Sequence, residues 1–71
     1  MSENKYESII YWDQEDGIFV VEVPELAGCK AHGTTKREAL ESAEQAVALW
    51  LETAKSQGRE IPDAKGKLAF A

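Results

Sequence analysis

A single cysteine, Cys29, and a single histidine, His32, set the first limits on this chain. One thiol cannot close an intrachain disulfide, and a solitary cysteine suits a reducing compartment. These two residues are also the only soft metal ligands, whereas a structural zinc site takes four. No metal and no cofactor is therefore expected. No apolar run approaches the ~20 residues of a membrane-spanning helix. The N-terminus, Met-Ser-Glu-Asn-Lys, lacks the apolar stretch and small-residue cleavage pattern of a secretory leader. The cytoplasm is the expected location, with no membrane partner.

Basic charge is also scarce. Eight Lys and Arg stand against thirteen Asp and Glu, a formal net charge of -5. Glu3, Glu7, Asp13, Glu15, Asp16, Glu22 and Glu25 face only Lys5 in the first 25 residues. Such a surface repels phosphate backbones and attracts a basic partner, although ordinary solubility accounts for the same charge. The basic residues are scattered, with Lys36-Arg37 and Lys65/Lys67 the densest pairs, so no nucleic-acid stripe forms. The five glycines are isolated, and no phosphate-binding loop or dinucleotide fingerprint is present.

With 71 residues the chain is expected to form one domain over 1–71, with a flexible N-terminus at 1–4 and a core over 5–57. Domains this short bury only roughly 60% of the unfolded chain's surface. Self-association, as a dimer or tetramer, is the expected remedy where disulfides and metals are ruled out.

What is present reads as α+β. Residues 6–12 (YESIIYW) and 18–23 (IFVVEV) are rich in β-branched and aromatic side chains, and the polar DQEDG between them reads as a hairpin turn. Tyr6, Ser8, Ile10 and Trp12 share one face of the first strand, and Glu7, Ile9 and Tyr11 the other. Neither strand alternates cleanly, so both faces are expected to be covered, one by a helix and one by a second subunit. Pro24 and Gly28 shape the loop PELAG into a short third strand at 29–32, which Gly33 ends.

Thr35 and Glu38 have the spacing of a capping box, with each side chain closing an orphan amide. The helix is expected to run to about Gln57, stopped by Gly58. Leu40, Ala43, Val47, Trp50, Leu51 and Ala54 form its apolar stripe. Tyr6, Phe19, Val21, Leu40, Val47 and Trp50 are the expected core. Beyond the helix, 58–71 reads as a turn followed by an edge strand at KLAFA. The expected architecture is a three-stranded antiparallel meander packed on one long helix, plus a short C-terminal strand (β-β-β-α-β).

Catalytic chemistry has little to stand on. Cys29 and His32 are the only thiol and imidazole, and residues three apart on a strand point to opposite faces. The acidic residues of the hairpin sit together in one flexible turn, and turn formation explains them. The chain is not expected to be an enzyme.

The pattern GIFVVEVPELAGC, followed by HGTT, Glu38-Ala39-Leu40, Ala43 and Ala46, closely resembles the HicB-like family, the antitoxin half of a bacterial and archaeal toxin–antitoxin pair. VPELAGC followed by GTTKREAL is the most specific part, and the likeness covers about residues 5–55. GREIP also resembles the family's continuation after the helix. The resemblance implies a sheet-and-helix domain likened to a partial ribonuclease H fold without its catalytic carboxylates. It also implies assembly into dimers or higher oligomers. Antitoxins of this type bind and occlude a small basic mRNA-cleaving toxin with a double-stranded-RNA-binding-like fold.

Full-length members add a C-terminal DNA-binding domain that this chain is expected to lack, so no direct DNA binding is expected of it. Pro24, Gly28, Gly33, Thr35 and Glu38 carry over as structural residues. Trp12, Asp13, Asp16, Glu22, Glu25 and His32 are the candidates for a partner-facing surface. Two readings stand: an antitoxin-like domain that sequesters a basic toxin, and an orphan homo-oligomeric domain of scaffolding or regulatory role.

Overall fold

The computed structural model describes residues 5–63. Three strands and one helix follow in chain order: β1 (Ile9–Asp13), β2 (Ile18–Glu22), β3 (Lys30–Gly33) and α1 (Lys36–Ser56). The strands form an antiparallel meander in the order β1-β2-β3, and α1 packs on one face of it. The expected C-terminal strand falls outside the described residues.

Pairing of β1 starts at Ile9, three residues later than the sequence pattern suggests, and the register explains why. Continued backward, Ser8 would face Val23 and Glu7 would face Pro24. The amide position of Pro24 is the next after Glu22 to turn toward β1, and it has no N–H to give; the Val23 amide turns the other way, donating to Cys29 O at 3.0 Å. The β2–β3 connection is more than a loop. Leu26 N bonds Val23 O and Cys29 N bonds Leu26 O, which drops the Leu26 side chain into the core at 1% exposure. A leucine between Glu25 and Ala27 has no periodic signal, so sequence reasoning passed it over.

Capping of α1 is as strong as expected but arranged differently. Thr35 is extended (φ -128, ψ 163) and its hydroxyl accepts from Glu38 N at 3.1 Å. The Glu38 carboxylate reaches one residue further back than the capping box predicts, to Thr34 N at 3.1 Å and Thr34 Oγ1 at 3.2 Å. At the other end Gly58 N donates to Lys55 O and Arg59 N to Ala54 O. That paired closure puts Gly58 at φ 68, a left-handed conformation glycine adopts without penalty.

The core divides in two along α1. Nearer the β2–β3 loop, Val23, Leu26, Cys29 and Val47 pack with Tyr6, Ala46, Trp50 and Leu51. Nearer the hairpin turn, Val21, Ala39 and Ala43 pack with Ile10, Phe19 and Ala31. The expected stripe is right at 43, 47 and 54 and wrong at 40: Ala39 is fully buried, and Leu40 is 39% exposed. The cause is Gly33. A Cβ there would fall on the backbone of Glu38 and Ala39 (2.8 Å from Glu38 C and 2.9 Å from Ala39 Cα). Helix backbone therefore rests on strand backbone, only a methyl fits at 39, and the bulkier Leu40 is rolled outward.

A Gly33→Ala change should accordingly destabilise the protein by about 2 kcal/mol or more, since overpacking against two backbones leaves nothing to move. Loss of the Thr35 cap in Thr35→Ala should cost about 1 kcal/mol. Urea unfolding of both variants, followed by circular dichroism, checks the order.

Candidate functional site

The face of the sheet turned away from α1 is set by alternation. Register puts Ile9 beside Glu22 and Lys30, Tyr11 beside Val20 and His32, and Asp13 beside Ile18. Ile9 and Tyr11 are each 41% exposed, and Val20 and Ile18 are partly so. No described element covers this apolar centre, which is rimmed by Glu22, Lys30 and His32.

The rim is ordered. Tyr11 Oη donates to Glu22 Oε2 at 2.6 Å, and Lys30 Nζ lies 3.9 Å from the same oxygen. The hydrogen bond to Glu22, then desolvation, then the charges of Glu22 and Asp13, hold the Tyr11 phenol above its ordinary 10.0. Each of these favours the protonated form.

At one end of this face stands the hairpin turn, which is held more firmly than its composition suggested. Asp13 Oδ1 accepts from Glu15 N at 3.0 Å and from Asp16 N at 3.3 Å, and Gly17 N donates to Asp13 O at 2.8 Å. Asp13 organises the turn, and Glu15 and Asp16 are presented to solvent. The backbone amides of the turn close on Asp13, which fixes the backbone that carries the other two acidic residues at one end of the sheet.

The six sequence candidates do not form one site. Asp13 and Asp16 lie in the turn, and Glu22 and His32 lie on the open face. Trp12 lies on the helix side of the sheet, 53% exposed, with its ring edge-on to Phe19 at 5.0 Å. Glu25 is 8% exposed and lines a hollow with Pro24, Ala27 and residues 60–63, apart from the turn and the open face. Its place next to Leu26 explains this, because the turn that buries the leucine draws its neighbour in. Ile9, Tyr11, Ile18, Val20 and Glu15 were not among the candidates. The alternation of both hairpin strands carried the signal for the first four.

The thiol and the imidazole lie on opposite sides of the sheet. Cys29 packs against Val23 and Val47 on the helix side, where burial pushes its thiol pKa up, whereas His32 is on the open face. Among the described residues no three His, Cys, Asp or Glu side chains gather to hold a metal ion, and no helix is long and apolar enough to cross a membrane.

The Tyr11–Glu22 bond makes a pH prediction. A group whose folded pKa is raised contributes stability below its unfolded pKa, and loses it as pH rises through the folded value. The phenol of Tyr11 should ionise at higher pH than free tyrosine, and Glu22→Ala should return it toward the ordinary value. Two-dimensional NMR of labelled tyrosine ring carbons across pH 8–12 checks this.

Comparison with known proteins identifies a family. The model of the HicB-like antitoxin of bacterial toxin–antitoxin systems matches residues 6–69. A UPF0150 protein of Thermoplasma acidophilum is 45% identical over 58 residues, covering 82% of this chain and 83% of its own length. One from Synechocystis is 41% identical over 64 residues, covering 90% and 86%. A third, from Archaeoglobus fulgidus, is 37% identical over 49 residues, covering 69% and 71%. No solved structure matches this chain significantly. A match across nearly the whole chain, with relatives of similar span, settles the assignment: the chain belongs to the HicB-like antitoxin family.

Proposed function

We propose that this protein neutralises a small basic mRNA-cleaving toxin by holding it against the open face of the sheet and the acidic turn. The observation that carries the reading is the juxtaposition of an uncovered apolar centre, Ile9, Tyr11, Ile18 and Val20, with Glu15 and Asp16 in a turn pinned by Asp13. Buried apolar contact supplies affinity, and fixed carboxylates at the rim steer a cationic partner and set its orientation. A turn already ordered before binding loses little entropy on docking. His32, Glu22 and Lys30 on the far rim supply polar contacts. The reading asks no catalysis and no DNA contact of this chain, and it belongs in the cytoplasm, where such a toxin would meet mRNA.

A second reading draws on the same apolar centre. Two copies meeting face to face would also cover Ile9, Tyr11 and Val20, giving a homo-oligomeric domain without a toxin. Carboxylates at the rim weigh against it, because a chain of net charge -5 repels its own copy where it would not repel a cation.

Co-purification from the native host, read by intact mass, separates the two readings. The antitoxin reading expects a stoichiometric small basic protein. It also expects Glu15→Gln with Asp16→Asn to slow association about tenfold at low salt and to flatten its salt dependence. Recovery of the homo-oligomer alone, with both genes expressed, contradicts it.

A further inference from the structure

The outer edge of β3 carries backbone groups that no described strand takes up. Strand order β1-β2-β3 leaves β3 outermost. The Val23 amide donates to Cys29 O, so Cys29, Ala31 and Gly33 turn their N–H and C=O groups inward to β2. Those of Lys30 and His32 therefore point outward. A lysine on a strand edge ordinarily blunts it. Here the Lys30 ammonium leans to Glu22 on the open face, 3.9 Å from Oε2, which leaves the backbone of the edge clear.

Helix α1 walls this edge on the other side. Ala46, Leu49, Trp50 and Thr53 meet Lys30 and Arg59 around a hollow of about 270 Å³ beside Gly28 and Cys29. Leu49 is 65% exposed, a large apolar side chain left open at the hollow's margin. The wall is held in place: Trp50 Nε1 donates to Ala27 O at 2.9 Å, and the Arg59 guanidinium lies over the Trp50 ring at 5.5 Å. Among the described residues no carboxylate pairs with Arg59. On a chain of net charge -5, this apolar hollow with two cations at its rim is opposite in charge to the acidic turn.

We propose that the β3 edge and this hollow bind an extended segment of another protein, one in which acidic and apolar residues alternate, added as an antiparallel strand. Directly opposite residues share a face of the sheet. A residue opposite Lys30 exchanges two backbone hydrogen bonds with it and sets its side chain beside the ammonium, where a carboxylate is favoured. Its neighbour, opposite Cys29, turns toward the helix and into the hollow, where an apolar side chain meets Ala46 and Leu49. Beyond it, a second carboxylate at the Gly28 end of the hollow meets Arg59. Backbone pairing supplies affinity and the alternation supplies selectivity. The pinned Trp50 loses little further freedom on binding.

A second copy fits the edge less well. Self-pairing about Ala31 would set Lys30 beside His32 of the other copy, and β3 brings no carboxylate for Arg59.

Titration of the full chain with the blocked pentapeptide acetyl-Glu-Val-Glu-Leu-Glu-amide, followed by amide and methyl NMR, tests the proposal. Saturable binding below about 1 mM is expected, with the Lys30 and His32 amides and the Leu49 methyls shifting together. Leu49→Asp and Arg59→Glu, both at exposed positions, should each weaken it at least about tenfold. So should N-methylation of the peptide's central glutamate, which removes the N–H offered to Lys30. Absence of saturable binding would overturn the proposal, as would equal binding of the N-methylated peptide or of one with lysine in place of glutamate. Protection of both edge amides from exchange in the chain without peptide would overturn it too, and growth of that protection with concentration would give the edge to a second copy. None of these results depends on whether a toxin exists.

Discussion

The contact on which the rest depends is the one between Gly33 and the first turns of α1. Because Gly33 has no side chain, the backbone of Glu38 and Ala39 lies directly on β3. That closeness allows only alanine at 39, which is fully buried, and it draws the helix over β3 and β2. Everything at the opposite edge follows. β1 is left with little of the helix above it, and the half-exposed Trp12 packs edge-on against Phe19. The asymmetry is thus a consequence of one residue's size.

Much of this was legible in the sequence, for physical reasons that differ from element to element. The hairpin was clear because DQEDG interrupts two runs of β-branched and aromatic residues. The helix limits were clear because Thr35, Glu38 and Gly58 each perform a local task that few other residues perform. Leu26 and Ala39 were not legible. Leu26 is buried by a turn whose hydrogen bonds follow no repeating period, and Ala39 is chosen by a tertiary contact with Gly33. Leu40, the stronger hydrophobe, dominated any pattern read without that contact.

The candidate surface shows the same division. Charge composition pointed to carboxylates, and two of those chosen, Asp13 and Asp16, do lie in the turn. It could not tell that Asp13 spends its side chain on the amides of Glu15 and Asp16, nor that Glu25 is drawn inside with Leu26. Alternation along β1 and β2 had already separated Ile9 and Tyr11 from Ile10 and Trp12. Those two sets now have distinct surroundings: an open face with a polar rim, and an edge beside the helix.

The central claim is that partner recognition belongs to the open face and the acidic turn. Hydroxyl-radical footprinting of the chain alone and in complex with a co-expressed small basic toxin tests it most directly. The account predicts that Tyr11 and Ile18 lose most of their oxidation on complex formation, with the exposed Leu49 of α1 and Trp50, packed between α1 and the β2–β3 loop, unchanged. Protection of Leu49 and Trp50 with Tyr11 as reactive as before would contradict it.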